Sequence, residues 1–391
     1  VDQAAAFLRT SEVRGELGAP HRLCGATMTK RNVELLDRYV SPKIIFGPSA
    51  TSASRDAAKA LSADARYQRL RARLEEAGCF VPATGVYIVR ISLFVLAFAG
   101  AYSALLFEPD WPLRVLCLLV IGFTLTQGGF LSHEATHGSI SKNPFVIQAI
   151  GQVAQSFFVG LSFSYFWRAH ELHHFHTNEE GMDPDTESDV FSVFLTGALD
   201  KRGLGNFITR RQHVLLPLLM PTWGIAMKLG SLAYVVRNLK RTRLDQIALL
   251  LHALLWLAFP TYVLGIGDAL LNYAGWLAVA SVYMALVIPI NHVAKPALPA
   301  EARISFLEQQ LTVTRDVESS PLIDFIFMGL NNHVEHHLFP QAPACRLHRG
   351  RRVIREFCRE EGLPLHEQTF IEAIVEVHAH LARMARVSKR A

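Results

Sequence analysis

Four stretches of the chain, Val86 to Phe107, Leu113 to Leu131, Ile247 to Leu264 and Leu270 to Ile290, are apolar for close to the length that crosses a bilayer. A hydrocarbon core of about 30 Å takes roughly 20 helical residues, so these stretches constrain the fold more than any other feature. Composition agrees with them. Half of the 391 residues are apolar, 19% are charged and the mean hydropathy is +0.22, values that suit a membrane protein better than two or three soluble domains. The stretches pair as two hairpins whose inner linkers, Glu108 to Pro112 and Ile266 to Ala269, hold no Lys or Arg, whereas Lys201 to Arg243 holds nine. By the positive-inside rule both linkers face away from the cytoplasm, and the N-terminus, the long middle segment and the C-terminus lie on the cytoplasmic side. The expected organisation is a multi-pass membrane protein with an N-terminal cytosolic segment of unassigned role (1–85), a membrane domain (86–363) and a C-terminal cytosolic tail (364–391).

Two further apolar stretches bear on the count of spans. Between Phe145 and Trp167, Gln148, Gln152 and Gln155 recur at helical spacing, which predicts an amphipathic helix lying in the interface with those amides toward water. His213 to Val236 carries Pro217, Pro221 and Lys228 and reads as a broken, surface-lying segment. The first 85 residues contain no apolar core of the length a secretory signal needs, so the first span is expected to direct insertion. A chain opening on Val1 is read as a non-Met start or a lost leader, with Met28 as a candidate internal start. The five cysteines are odd in number and contain no CxxC, which indicates neither a disulfide framework nor an iron–sulfur site.

Ten of the 17 histidines gather in four places. His133 and His137, in SHEATHG, form an HExxH, the arrangement of zinc proteases with Glu134 as general base. The same letters are an HxxxH, two ligands of a larger histidine centre in which Glu134 would only orient an imidazole. His170, His173, His174 and His176 follow in RAHELHHFHTN, then His292 in PINHVAK, then His333, His336 and His337 in NNHVEHHLFP. Random placement would produce an HxxHH about 0.03 times, and the chain holds two. On a helix, residues i, i+3 and i+4 share a face, so each HxxHH offers up to three imidazoles in one direction and HxxxH offers two. That makes eight candidate ligands before His292 is counted. One tetrahedral zinc takes four; two metals would use them all. Imidazole suits iron, copper, nickel and zinc, so the ligand type does not name the metal. With four spans, every box emerges at the same membrane face.

HEATHGS, WRAHELHHFHTNEEGMDPD and GLNNHVEHHLFP resemble the three histidine boxes of the membrane fatty acid desaturases, with flanks closer to the acyl-lipid and front-end-like bacterial members than to the acyl-CoA Δ9 branch. The resemblance runs from about Tyr67 to Leu363. It implies an all-α membrane protein with four transmembrane helices in two hairpins and a cytosolic helical cap carrying a histidine-rich di-metal site. It further implies two non-haem iron ions held by His133, His137, His170, His173, His174, His333, His336 and His337, with His292 matching the additional ligand between the second and third boxes. Two features depart from the family pattern: His333 stands where front-end members carry Gln, and the first 66 residues match nothing recognisable.

Removing hydrogen from an unactivated methylene demands an oxidant that no side chain provides, so dioxygen and a redox metal must supply it, and zinc cannot change oxidation state. The implied activity is introduction of a double bond into a lipid or acyl chain, carried as acyl-lipid, acyl-CoA or acyl-carrier protein. A hydroxylase or acetylenase of the same class differs only in small distances of substrate placement. Electrons are expected from a separate ferredoxin or b-type cytochrome, because the sequence has no HPGG haem motif, no iron–sulfur cysteine set and no Gly-rich dinucleotide fingerprint. The membrane is the expected partner surface and nucleic acid is not. The rival classes are an intramembrane zinc protease, with Asp183 or Asp185 as third ligand, and a metal transporter. The first leaves both HxxHH groups idle, and the second calls for histidines strung through the spans rather than at one face.

Several neighbours take plainer roles. His176 lies off the i, i+3, i+4 set and is expected to back a ligand or be structural, and His252 within its apolar span to be a satisfied core or cavity histidine. Glu134, Glu171 and Glu335 are expected to support ligands, Asp183 and Asp185 to organise a turn, and Trp167 to anchor at the interface. The basic run Arg346, Arg349, Arg351, Arg352 and Arg355 follows from the positive-inside bias, with a grip on a substrate phosphate as the functional alternative. Asp64 to Gly78 reads as a charged surface helix without chemistry.

Overall fold

The computed structural model describes residues 53–186, 188, 191–299 and 304–390. Met28, Cys24 and the rest of the first 52 residues lie outside them. The described chain is predominantly helical. Its helices are α1 (Ala53–Glu76), α2 (Thr84–Leu105), α3 (Trp111–Thr136), α4 (Pro144–Gly151), α5 (Phe163–Phe175), α6 (Leu195–Asp200), α7 (Gly203–Thr209), α8 (Gln212–Leu219), α9 (Trp223–Arg237), α10 (Arg243–Ala253), α11 (Phe259–Leu264), α12 (Ile266–Val287), α13 (Phe306–Val313), α14 (Pro321–Ile326), α15 (His333–Leu338), α16 (Ala344–Glu361) and α17 (Phe370–Arg390). Two π-helical stretches, Gln152–Val159 and Leu254–Ala258, continue α4 and α10. The strands among the described residues are β1 (Asp316–Val317) and β2 (Glu367–Gln368), paired in parallel.

α3 is the central helix. It starts at Asp110, whose carboxylate accepts from the Leu113 amide at 3.2 Å, with Pro112 in the first turn, where its missing N–H costs nothing. It packs on α2, on α12 and on the Gln152–Val159 stretch, and 61% of its apolar window is buried against 11% for α2. The outward residues of α2, such as Ile88, Val89, Leu93 and Leu96, are apolar and exposed, as a lipid-facing surface requires. Close approach of α3 to α12 depends on glycine: a Cβ at Gly122 would stand 2.5 Å from Val279 Cγ1. Gly122→Ala is therefore expected to lower the thermal midpoint of the detergent-solubilised protein by the equivalent of about 1–3 kcal/mol. Val279→Ala in the same chain should recover most of the loss; an unchanged midpoint for Gly122→Ala would disprove the contact. Arg114, near the start of α3, bonds Asp268 at the start of α12, so the two short linkers lie side by side.

The apolar helices number more than the four expected. Thr84–Leu105, Trp111–Thr136, Gln212–Arg237, Arg243–Leu264 and Ile266–Asn291 are each long and apolar enough to cross a membrane. The addition, Gln212–Arg237, is the segment read from sequence as broken. Pro217 is accommodated inside α8, and Pro221 falls in the first turn of the short 3₁₀ turn Met220–Thr222, where no donor is needed, so the segment stays helical. The stretch read as an interfacial amphipathic helix differs too. Pro144–Val159 and Phe163–Phe175 meet at 110°, as in a broken span or a re-entrant loop. The glutamines do not all face water: Gln155 is buried against Gly129, and both amide atoms of Gln152 are buried. Burial inside a helical bundle, invisible to periodicity, decided their direction.

The remaining elements form a cap over one end of the helices. α1 contributes Leu70 and Leu74 to a core with Leu307, Leu311, Val334, Leu338, Phe339, Ile354 and Phe357. Its charges pair across to α16, Arg69 with Glu361 at 2.6 Å and Arg73 with Glu360 at 2.7 Å. The helix over Asp64 to Gly78 thus has an apolar stripe as well as its charged face. Beyond residue 363, β2 pairs with β1 and α17 packs on α6 and α8.

Candidate metal centre

Each histidine box sits at a helix end facing the same space. His133 lies in the last turn of α3 and His137 at its C-cap. Ser162 caps α5 by accepting from the Tyr165 amide at 3.1 Å, and that helix carries His170, His173 and His174 in its second half. His292 follows the 3₁₀ turn Pro289–Asn291 that ends the α12 segment, and α15 presents His333, His336 and His337.

The nine imidazoles converge as two groups. His133, His137, His170, His174 and His336 have ligand nitrogens all within 4.8 Å of one another, and so do His173, His292 and His337. His333 flanks the second group, its Nε2 2.8 Å from that of His292. Within the first group, His170 Nε2 stands 2.8 Å from His137 Nε2 and 3.0 Å from His174 Nε2, which is 3.1 Å from His336 Nε2. In the second, His173 and His292 Nε2 are 3.3 Å apart. Imidazole nitrogens bound at about 2.1 Å and at right angles around one divalent ion stand about 3 Å apart, so the spacing fits shared metals.

Hydrogen bonds at the far side of the rings fix which nitrogen points inward. Nδ1 of His292 donates to the Val313 carbonyl at 3.2 Å, Nδ1 of His333 to the Leu330 carbonyl at 3.0 Å, and Nδ1 of His337 to Gln310 Oε1 at 2.9 Å. An oxygen of this kind only accepts, so Nδ1 carries the proton and the Nε2 lone pair is left for a metal. The inward Nε2 of His337 is buried and has no partner among the described residues. Burial, aided by the neighbouring imidazoles, holds His333, His336 and His337 well below the usual histidine range. They are neutral at physiological pH, the form that ligates.

Acidic neighbours support the rings. Asp183 is fully buried; one oxygen accepts from His173 Nδ1 at 2.9 Å, and the carboxylate also takes the Asn178 and Asp185 amides. It organises the turn as expected and orients a ring as well, a role that sequence reading missed although DPD lies only ten residues downstream. Glu134 Oε2 accepts from the Tyr87 hydroxyl at 2.8 Å, the Ser139 hydroxyl at 2.9 Å and the Ala344 amide at 2.9 Å. Three donors hold that oxygen, the other lies 3.7 Å from His133 Nδ1 beside the ring, and Asp183 points at His173 rather than at His133 or His137. These facts tell against the protease reading. Burial and the adjacent Asp316 drive the Glu335 carboxyl well above the usual carboxylate range, beside the third box.

Other expectations resolve simply. His176 pairs with Glu179 at 2.8 Å, outside both groups. His252 donates from Nδ1 to the Phe157 carbonyl and accepts the Tyr273 hydroxyl, a satisfied core histidine. Glu171 lies 3.7 Å from Arg168. In the basic run, Arg351 and Arg355 pair with Glu367 and Arg352 with Glu356, so these three serve the cap and weaken the case for a phosphate grip.

The sequence model of the fatty acid desaturase family matches residues 109–369, well over half of the chain and all three boxes. The chain belongs to that family, and the membrane oxidoreductase class expected from the boxes stands. Among its relatives are a Delta(6)-fatty-acid desaturase of Caenorhabditis elegans, 27% identical over 76% of this chain and 70% of the relative, and a Delta 8-(E)-sphingolipid desaturase of Emericella nidulans, 26% identical over 82% and 62%. A Delta(8)-fatty-acid desaturase of Borago officinalis is 23% identical over 79% and 72%.

Proposed function

We propose that this desaturase holds two iron ions, one in each histidine group, and uses them to introduce a double bond into a long acyl chain of a lipid. The observation that carries the reading is the partition of the boxes. α5 and α15 each supply both groups, which ties two metals to one rigid pair of helices. When bound, such an iron pair supplies the redox chemistry by which dioxygen, two electrons and two protons take two hydrogens from adjacent methylenes, leaving an alkene and two waters. The protein's part is placement. Nε2 nitrogens face inward, Asp183, Gln310 and backbone carbonyls hold their rings, and the exposed apolar helices keep the acyl chain in lipid. In the topology we favour, the two short linkers face away from the cytoplasm and the metal centre and both termini lie on the cytoplasmic side. Segments 1–85, 86–363 and 364–391 are then cytosolic, membrane and cytosolic. Gln212–Arg237 would lie along the membrane surface instead of crossing, which keeps the spans at four and all boxes on one face.

The test is to express the chain in a host whose lipids are defined, count iron per purified chain, and search the acyl chains for new double bonds. Two irons and a new alkene are expected; a metal-replete protein that leaves every acyl chain unchanged would refute the reading. Electrons are proposed to come from a separate reduced ferredoxin or b-type cytochrome. The purified 391-residue chain should stay inactive with reduced nicotinamide cofactor alone and turn over when such a carrier and its reductase are added. Turnover with the nicotinamide alone would refute this.

A further inference from the structure

The 110° bend between the π-helical stretch Gln152–Val159 and α5 is held by side chains from both sides, a lysine among them on one and an aspartate on the other. On the incoming side, the last four carbonyls each accept from a side chain. His252 Nδ1 donates to Phe157 at 2.9 Å, Trp256 Nε1 to Phe158 at 3.3 Å, and the Lys228 ammonium to Val159 and, at 3.1 Å, to Gly160. The same ammonium lies 5.6 and 5.4 Å from the Tyr273 and Trp276 ring centres. On the outgoing side, the buried carboxylate of Asp245 accepts from the Ser162 hydroxyl at 2.8 Å, the Ser164 amide at 3.0 Å and the Ser164 hydroxyl at 2.5 Å. Ser231 Oγ accepts the Ser162 amide at 2.7 Å. At the corner, Gly160 has φ +75°, and a Cβ there would stand 2.3 Å from His252 Nε2 and 2.5 Å from Lys228 Nζ.

We infer that Lys228 and Asp245 are positioning residues that set the direction of α5 and so bring His170, His173 and His174 onto the other imidazoles. A helix carries about half a negative charge at its carbonyl end and half a positive charge at its amide end, so a cation and an anion each stabilise the terminus they face. Charges are costly in apolar surroundings, and a neutral donor would satisfy the carbonyls alone. Their placement on α9 and α10 means that two outer helices grip the bend from its two sides. Because α5 feeds both histidine groups, a small rotation about the bend would disturb both at once. The inference rests on the di-iron reading above.

The test compares Asp245→Asn, Lys228→Met and the conservative Lys228→Arg with the parent, all iron-loaded and monodisperse in detergent. The chelator concentration that strips half of the iron should fall about 10-fold or more for Asp245→Asn and Lys228→Met, the scale seen when an outer partner of a ligand is lost. It should return close to the parent value for Lys228→Arg. Gly122→Ala, which loosens the protein away from the bend, should keep the parent's resistance. In the metal-free proteins, amide exchange over residues 162–166 should quicken in Asp245→Asn. If a full replacement does not yield monodisperse protein, Ser231→Ala and Ser164→Ala test the same bend with a smaller shift in the same direction. Parent protein without two irons would fail the di-iron reading itself. Parent with two irons and variants with unchanged chelator resistance and exchange would overturn this inference alone.

Discussion

His336→Gln and His337→Gln are each expected to lower desaturation by more than about 100-fold, beyond the 10- to 100-fold cost of losing an outer partner of a ligand, whereas His333→Gln should keep measurable activity. His336 belongs to the group of five and His337 to the group of three, so each variant removes a neutral nitrogen from a different proposed metal. An amide oxygen is a weaker donor than imidazole for ferrous iron. His333 stands beside the second group, 2.8 Å from His292, where an amide can still reach a ring or a metal. Iron counts should separate the two severe variants from the mild one, and spectra of the residual iron should separate the severe variants from each other. The comparison needs matched, folded protein, because lost metal also loosens the cap. Equal activity in all three variants would show that the third box is not a ligand set.

Asp183→Asn should weaken iron binding about 10- to 100-fold with folding retained, and the loss should fall on the group of His173, His292 and His337. Asp183 accepts from His173 Nδ1 at 2.9 Å and is fully buried, so it holds that ring with Nε2 turned toward His292. An asparagine can present N–H to Nδ1 instead, which favours the other tautomer and puts a proton on Nε2 where the metal should sit. Iron per chain should fall toward one, since the ring that Asp183 holds, His173, belongs to the group of three. Two irons bound with the parent's resistance to chelator would remove Asp183 from this role.

Much of the site was legible because its signals are local. Histidine spacing of three and four residues survives as a shared helix face wherever the helix lies, so His133 with His137 and the two HxxHH runs could be read as ligand sets before any contact was known. Glu134 between two ligands was less readable. Whether it acts as a base or a support depends on Tyr87, Ser139 and Ala344, which are distant in sequence. Asp183 was assigned its turn but not its bond to His173 for the same reason. The apolar lengths of α2, α3 and α12 were read well, while the helical continuity of Gln212–Arg237 was not, because two prolines and a lysine look like interruptions. In the fold one proline occupies a first turn and the lysine finds backbone carbonyls across the bend.

The sequence by itself determined that this chain is a membrane protein built of helices and that eight of its histidines fall in three boxes at ligand spacing. Hydrophobic length and helical periodicity are properties of a single segment. Only the tertiary structure decided how the histidines divide. Neighbouring residues on a helix point about 100° apart, so His173 and His174, like His336 and His337, turn to different sides. Which side holds five nitrogens and which holds three follows from where α3 ends and where the loop of His292 passes, positions set by packing between distant segments rather than by spacing within one.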